Sequence, residues 1–190
     1  CVYIGFGAES ASANVLKAMN KGGFILKNGF EKVSVNGEIY NFPLSMTMGI
    51  RNCLEAGIHA NCTWIMGYPT ETLEDLKISV AFIYWQKQLY EQYGKNDDSI
   101  NYRMFTATWY PGTAMGHNPK VKKMLSDVFN IAFDNNNHPI IDQAYYQYLI
   151  ELDDATKLLY NPQTNEPLNF SEIKQDPSIE NKGAVFNKRD

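Results

Sequence analysis

The sequence predicts an α/β chain of repeated βα units, from three observations. Short β-favouring runs at residues 1–6, 59–66 and 100–110 each close on a turn rich in Gly, Pro, Ser or Thr. Stretches with helical spacing of apolar residues follow them. The resulting order is strand, helix, insertion, helix, strand, helix, strand, helix, which gives parallel strands with helices outside. An open doubly wound sheet and an arc of a (β/α) barrel both fit that order, and both bind ligands at the carboxyl ends of the strands.

Taken in order, residues 1–6 end in Gly5-Phe6-Gly7, and Ser10 or Ser12 offers an N-cap for a helix over 14–21 that Gly22-Gly23 stops. Residues 24–42 alternate around Asn28-Gly29 and Asn36-Gly37, strong hairpin signals, so a β-hairpin-like insertion is expected there. Residues 43–56 read as a helix ended by Gly57, and 59–66 as a strand. After Gly67-Tyr68-Pro69-Thr70-Glu71, Thr72 caps a helix to about Tyr93, with Asp75 reaching back in a variant capping box. Leu73, Leu76, Val80 and Ile83 form its single buried stripe. Residues 100–110 form the third strand, 121–133 and 142–159 two further helices, and 161–190 an irregular or disordered tail interrupted by Pro162, Pro167 and Pro177.

Composition narrows the function classes. The 17 Lys and Arg against 21 Asp and Glu leave a charge of −4, which argues against a nucleic-acid module with its clustered cations. No apolar run approaches the roughly 20 residues of a membrane helix. Three cysteines, Cys1, Cys53 and Cys62, make no C-x-x-C pair and no disulfide framework, so a reducing, cytoplasmic setting is expected. The chain opens inside a strand-like run without Met, and is expected to be a piece of a longer protein.

The chemistry gathers at the strand ends. Glu9, Ser10 and Ser12 put a carboxylate and two hydroxyls on a turn of small residues, suited to a ribose; helix capping and dipole compensation are the plainer reading. Gly67 to Thr72 reads as a shaped turn and helix start, and Pro111-Gly112-Thr113 as a turn. His59, His117 and His138 share no metal-like spacing, and Tyr84, Trp85 and Tyr90 read as packing residues.

Together, Glu9-Ser10-Ala11-Ser12 with Val15 to Gly22, Glu55-Ala56-Gly57-Ile58 leading to Trp64 to Thr72, and Tyr110-Pro111-Gly112-Thr113 resemble the second half of the radical SAM core, over residues 1–116. The resemblance is to the branch that often carries a cobalamin-binding domain. It implies a partial (β/α) barrel fragment, the fourth to sixth βα units, with a helical extension over 117–160. It further implies S-adenosylmethionine as cofactor, with its ribose near Glu9, Ser10 and Ser12, its adenine along Ile65, Met66 and Gly67, and the pocket closed by Tyr110 and Pro111. The family's 4Fe-4S cluster needs a C-x-x-x-C-x-x-C loop that this chain lacks, so its ligands are expected outside the chain, in the missing N-terminal half of the core. Cobalamin is a candidate second cofactor. The implied activity is reductive cleavage of S-adenosylmethionine to a 5′-deoxyadenosyl radical acting on an unknown substrate, with this piece inactive alone. A non-catalytic βα nucleotide-binding or interaction module stays open as the alternative. The strand face opposite the helices is expected to be apolar, and self-association is expected to cover it.

Overall fold

The computed structural model describes residues 1–68, 70–95, 100, 104–107, 113 and 117–147. The elements are β1 (Tyr3–Glu9), α1 (Ala13–Ala18), α2 (Gly22–Ile25), β2 (Phe30–Val35), β3 (Glu38–Pro43), α3 (Leu44–Glu55), β4 (His59–Met66), α4 (Leu73–Gln92), β5 (Met104–Thr106) and α5 (Pro119–Phe129). One sheet has the order β1-β4-β5, and β2 and β3 form a second. β1 and β4 run parallel from Tyr3 opposite His59 to Gly7 opposite Thr63. The α/β class and the first parallel pair therefore follow the sequence reading, and among the described residues no barrel closes. The chain divides into two compact units: Cys1–Met66 with Leu73–Phe105, and Gly67–Thr72 with the chain from Thr106 onward.

In the first unit, α1 ends earlier than expected. Asn20, at φ 60°, takes the left-handed position, and Lys21 N–H bonds back to Leu16 O at 2.9 Å, so Gly22-Gly23 opens α2 instead of stopping α1. Of the two Asn-Gly signals, Asn36-Gly37 makes the hairpin: both residues have positive φ (51° and 84°), and Val35 pairs with Glu38. Asn28-Gly29 instead ends the turn after α2, where Gly29 N–H reaches Leu26 O. Gly57, at φ 71°, closes α3 as expected, with Ile58 N–H on Cys53 O at 2.8 Å.

α4 departs from the single-stripe expectation. Leu76, Val80 and Ile83 are buried, but so are Ala81, Phe82, Trp85, Gln86, Leu89 and Tyr90. A helix apolar on several faces must be covered on several faces. Here the β2-β3 hairpin covers one side, with Phe42 edge-on to Phe82 at 5.0 Å and tilted against Trp85 at 6.0 Å. β4 covers another, with Trp64 5.5 Å from Phe82. Arg51 of α3 lies 5.3 Å over Trp85 and donates from both Nη atoms to Glu31 of β2, at 2.7 and 2.8 Å. The inserted hairpin is thereby a wall of the core.

The lower end of α4 completes the sheet. Ala60 N–H donates to the Tyr90 hydroxyl at 2.8 Å, and Ala60 O accepts from that hydroxyl and from Gln86 Nε2, both at 2.9 Å. Side chains of the helix thus satisfy backbone groups of β4 that a neighbouring strand would otherwise pair, as burial requires.

The second unit contains α5, capped by Asn118, whose Oδ1 accepts from Lys120 N–H at 3.0 Å, with Pro119 in the first turn. It stops at Phe129, short of the expected 133, because Asn130 turns left-handed at φ 56°. Asp134 Oδ1 then accepts from the N–H groups of Asn136 and His138 in a tight turn, and residues 143–147 are helical. The rest of the expected helix over 142–159, and the tail over 161–190, lie outside the described residues.

Two outcomes follow. Tyr90→Phe removes the partner of a buried N–H and should destabilise the fold by about 1–3 kcal/mol, read as a lower urea midpoint at unchanged slope. The hydrogen bonds from Arg51, assisted by Thr47, hold the Glu31 carboxyl below its ordinary value of 4.5. A carboxylate with a lowered folded-state value contributes stability that is present above 4.5 and is lost as the pH falls through the folded value. Glu31→Gln should therefore show a flatter loss of stability on acidification, measured by urea titrations between pH 6 and roughly pH 3.

Candidate functional site: a carboxylate on the open face of the sheet

Strand alternation sorts β1 and β4 into two faces. Ala8, Ala60, Cys62, Trp64 and Met66 are buried on the helix side. The other side carries Tyr3, Gly5 and Gly7 from β1 and His59, Asn61, Thr63 and Ile65 from β4, all exposed or half-buried. This face is glycine and polar where an apolar one was expected. Asn61 Nδ2 donates to the Tyr3 hydroxyl at 3.0 Å, and bare backbone lies at Gly5 and Gly7.

Glu9 closes that face at the carboxyl end of β1. The register slips between Gly7 and Glu9, a bulge that adds one residue opposite β4. Ser10 N–H then bonds to Ala8 O at 2.7 Å while Glu9 stands at φ 63°, which is a γ-turn centred on Glu9. A left-handed φ at a residue with a Cβ is strained, and such strain persists where the surroundings over-determine it. The carboxylate folds back over the sheet: a Cβ added at Gly7 would lie 2.9 Å from Glu9 Oε1 and 3.8 Å from Lys21 Nζ. Lys21 Nζ donates to Glu9 Oε1 at 2.5 Å. Glycine at position 7 thus makes room for the ion pair, and the cap that ends α1 brings Lys21 to it.

The two serines are committed elsewhere. Both are fully buried. Ser10 Oγ lies 3.1 Å from Ser79 Oγ, which also accepts from Ala11 N–H at 3.0 Å. Ser12 Oγ caps α1 by accepting from Asn14 N–H and donates to Asp75 Oδ1 at 2.5 Å. Asp75, read from sequence as half of a capping box, reaches across to α1 and also accepts from Asn14 Nδ2. These bonds bolt the turn after β1 to α4.

Of the residues expected near an adenine, Ile65 is half-buried on the open face, whereas the Met66 side chain is buried on the helix side and offers only its backbone there. In the second unit, Gly67 turns at φ 76°, and its N–H donates to Glu71 Oε2 at 2.6 Å. Glu71 is buried, so it acts as an internal clasp on this turn and not merely as a charge at a helix start. Tyr110 and Pro111 lie outside the described residues. Sequence reasoning missed Lys21; the signal available was Asn20, a residue that tolerates the left-handed turn, directly before Lys21.

Chemically, the face offers a charged acceptor beside a cation, over open backbone. It holds no activated thiol: Cys62 and Cys53 are buried, and burial, helped by neighbouring Cys53, pushes the Cys62 thiol up to about 12. Among the described residues no group of three His, Cys, Asp or Glu side chains could hold a metal, and no helix is long and apolar enough to cross a membrane. No family model matches the chain, and comparison with curated proteins and with solved structures finds no match.

Ser12→Ala removes a cap and a buried donor to Asp75 together. It should destabilise the fold by about 2–3 kcal/mol, more than the roughly 1 kcal/mol of an exposed cap. Urea denaturation should show Ser12→Thr, which keeps the hydroxyl, recovering most of that loss.

Proposed function

We propose that this chain is the nucleoside-holding part of a radical SAM core, its fourth to sixth βα units, and that Glu9 accepts hydrogen bonds from the ribose hydroxyls of S-adenosylmethionine. The observation that carries the reading is Glu9 itself: a carboxylate held at a strained φ of 63° on a bulge at a strand's carboxyl end, facing open backbone. Strain of this kind collects at binding sites, and strand ends are where βα folds bind ligands.

The residues fit the cofactor in part. Glu9 is a fixed acceptor for a diol, and Ile65 supplies an apolar wall on the same face for a base. Met66 contributes backbone only, and Ser10 and Ser12 support the turn without reaching a ligand. S-adenosylmethionine, when bound and reduced by a cluster, supplies radical-generating chemistry. The residues of this chain bind and orient it: Gly7 leaves room for the Glu9 carboxylate, and Lys21 keeps that carboxylate over the sheet. The cluster does not fit the cysteines present, since Cys53 and Cys62 are buried and Cys1 is exposed. In this reading the cluster comes from the N-terminal half of the core and any cobalamin is held outside this chain, in a cytoplasmic enzyme.

Replacing a charged acceptor of a ligand hydroxyl should cost about 1.5–3 kcal/mol, or roughly ten- to hundredfold in affinity. Glu9→Gln should therefore weaken S-adenosylmethionine binding by that factor in calorimetric titration, with melting changed by no more than about 1 kcal/mol because Lys21, half exposed, leaves the pair open to solvent. Glu71→Gln is the control. It loosens the clasp on Gly67, should lower stability by about 1–2 kcal/mol and leave binding to Glu9 intact. Unchanged affinity in Glu9→Gln would overturn the ribose role.

A further inference from the structure

We propose that a pocket on the helix side of β1 is a binding site for a neutral apolar ligand the size of one aromatic ring, a role independent of the nucleoside reading. The pocket is a cavity of about 230 Å³. An apolar cavity of ~150 Å³ is enough to stay dry and accept benzene, so this one has room for a ring with a small substituent.

Its walls select the chemistry. Phe6, Phe24 and Phe82 supply aromatic surface, and Met46 a polarisable thioether. None of the lining side chains carries a charge. The Cys62 thiol on its lining stays neutral, and the Ser45 hydroxyl already accepts from Asn28 Nδ2 at 3.2 Å. A ligand there would meet dispersion and ring contacts and little that rewards a charge.

Gly49 is the second, independent observation. It sits within the 12-residue α3, where glycine is, after proline, the poorest helix former. Its φ lies outside the left-handed range, and a Cβ built there would meet nothing within 4 Å. Neither backbone geometry nor close packing calls for glycine at this position, yet its absent side chain leaves the pocket open. Phe24 lines the pocket while 82% exposed, so it offers aromatic surface at the solvent side. Gly7 and Ala8 also line the pocket, in the strand segment that leads to Glu9.

The test titrates the 190-residue chain with benzene and toluene, followed by amide chemical shifts and by melting. A Kd on the order of 1 mM is expected for a ligand with so few atoms. Shifts should centre on Gly7, Ala8, Gly49 and Cys62. The folding equilibrium should move about tenfold toward the native state at ten times that concentration. Gly49→Leu fills the space and should abolish binding. Phe24→Ala removes an exposed wall and should weaken binding several-fold without lowering the melting temperature. Should Gly49→Leu fail to fold, Gly49→Ala, which adds one methyl into open space, replaces it, with weakened binding expected. Benzoate should not bind. The absence of saturable shifts, equal affinity in the Gly49 and Phe24 variants, or equal binding of benzoate would each overturn the proposal.

Discussion

Burial of α4 from several directions is the constraint on which the first unit depends. A helix carrying Phe82, Trp85, Leu76, Val80, Ile83 and Tyr90 inside cannot lie on a sheet with one face to water. The parallel pair β1-β4 covers one side and the β2-β3 hairpin another, meeting in the ring cluster of Trp64, Phe82, Trp85 and Phe42. Ring pairs of this kind contribute about 0.5–1.5 kcal/mol beyond area burial, and their geometry fixes the approach of the hairpin. The insertion therefore belongs to the core, and Arg51 fastens it from α3 through Glu31 and Trp85.

The same helix also determines where the candidate site sits. Ser79 and Asp75 of α4 hold the backbone of Ala11 and the side chains of Ser10, Ser12 and Asn14, so the turn after β1 has no freedom to relax. Glu9 lies between that fixed turn and the ladder of β1 with β4, and its unfavourable φ is the result of being held at both ends. Positioning here comes from buried serines that do not touch the open face. The carboxylate they present is directed by Gly7, which leaves room, and by Lys21, which draws the charge back over the sheet.

Much of this was legible in the sequence because it rests on local rules. Gly57 as a helix stop, Asn36-Gly37 as a hairpin turn and 59–66 as a strand follow from φ preference and alternation, and the structure has each of them. Glu9 was legible as a candidate from residue type and position. The partners that decide its setting were not, because Lys21, Asp75 and Ser79 lie 12, 66 and 70 positions away in sequence. Asp75 illustrates the limit: helix-start spacing points to a local cap, and its partners Ser12 and Asn14 across on α1 leave no local signal. The face opposite the helices, expected to be apolar as the inner face of a barrel fragment, is glycine and polar because Gly5 and Gly7 alternate with Ile4, Phe6 and Ala8 along β1. A second Asn-Gly, at 28–29, shows that the dipeptide specifies a left-handed turn and leaves open what the turn connects.

The clamp of Tyr90 and Gln86 on Ala60 has a consequence for how the unit opens. In an ordinary sheet, the exchange of a strand amide with solvent hydrogen reports separation of two strands. The Ala60 amide is shielded by a phenol on a helix, so its proton becomes exchangeable when α4 swings away, even while β1 and β4 remain zipped. The amides of β4 that face β1 stay hidden through that event and yield only when the strands part. One strand thus carries two kinds of clock side by side, one timing the lifting of a helix and the other the unzipping of the sheet beneath it.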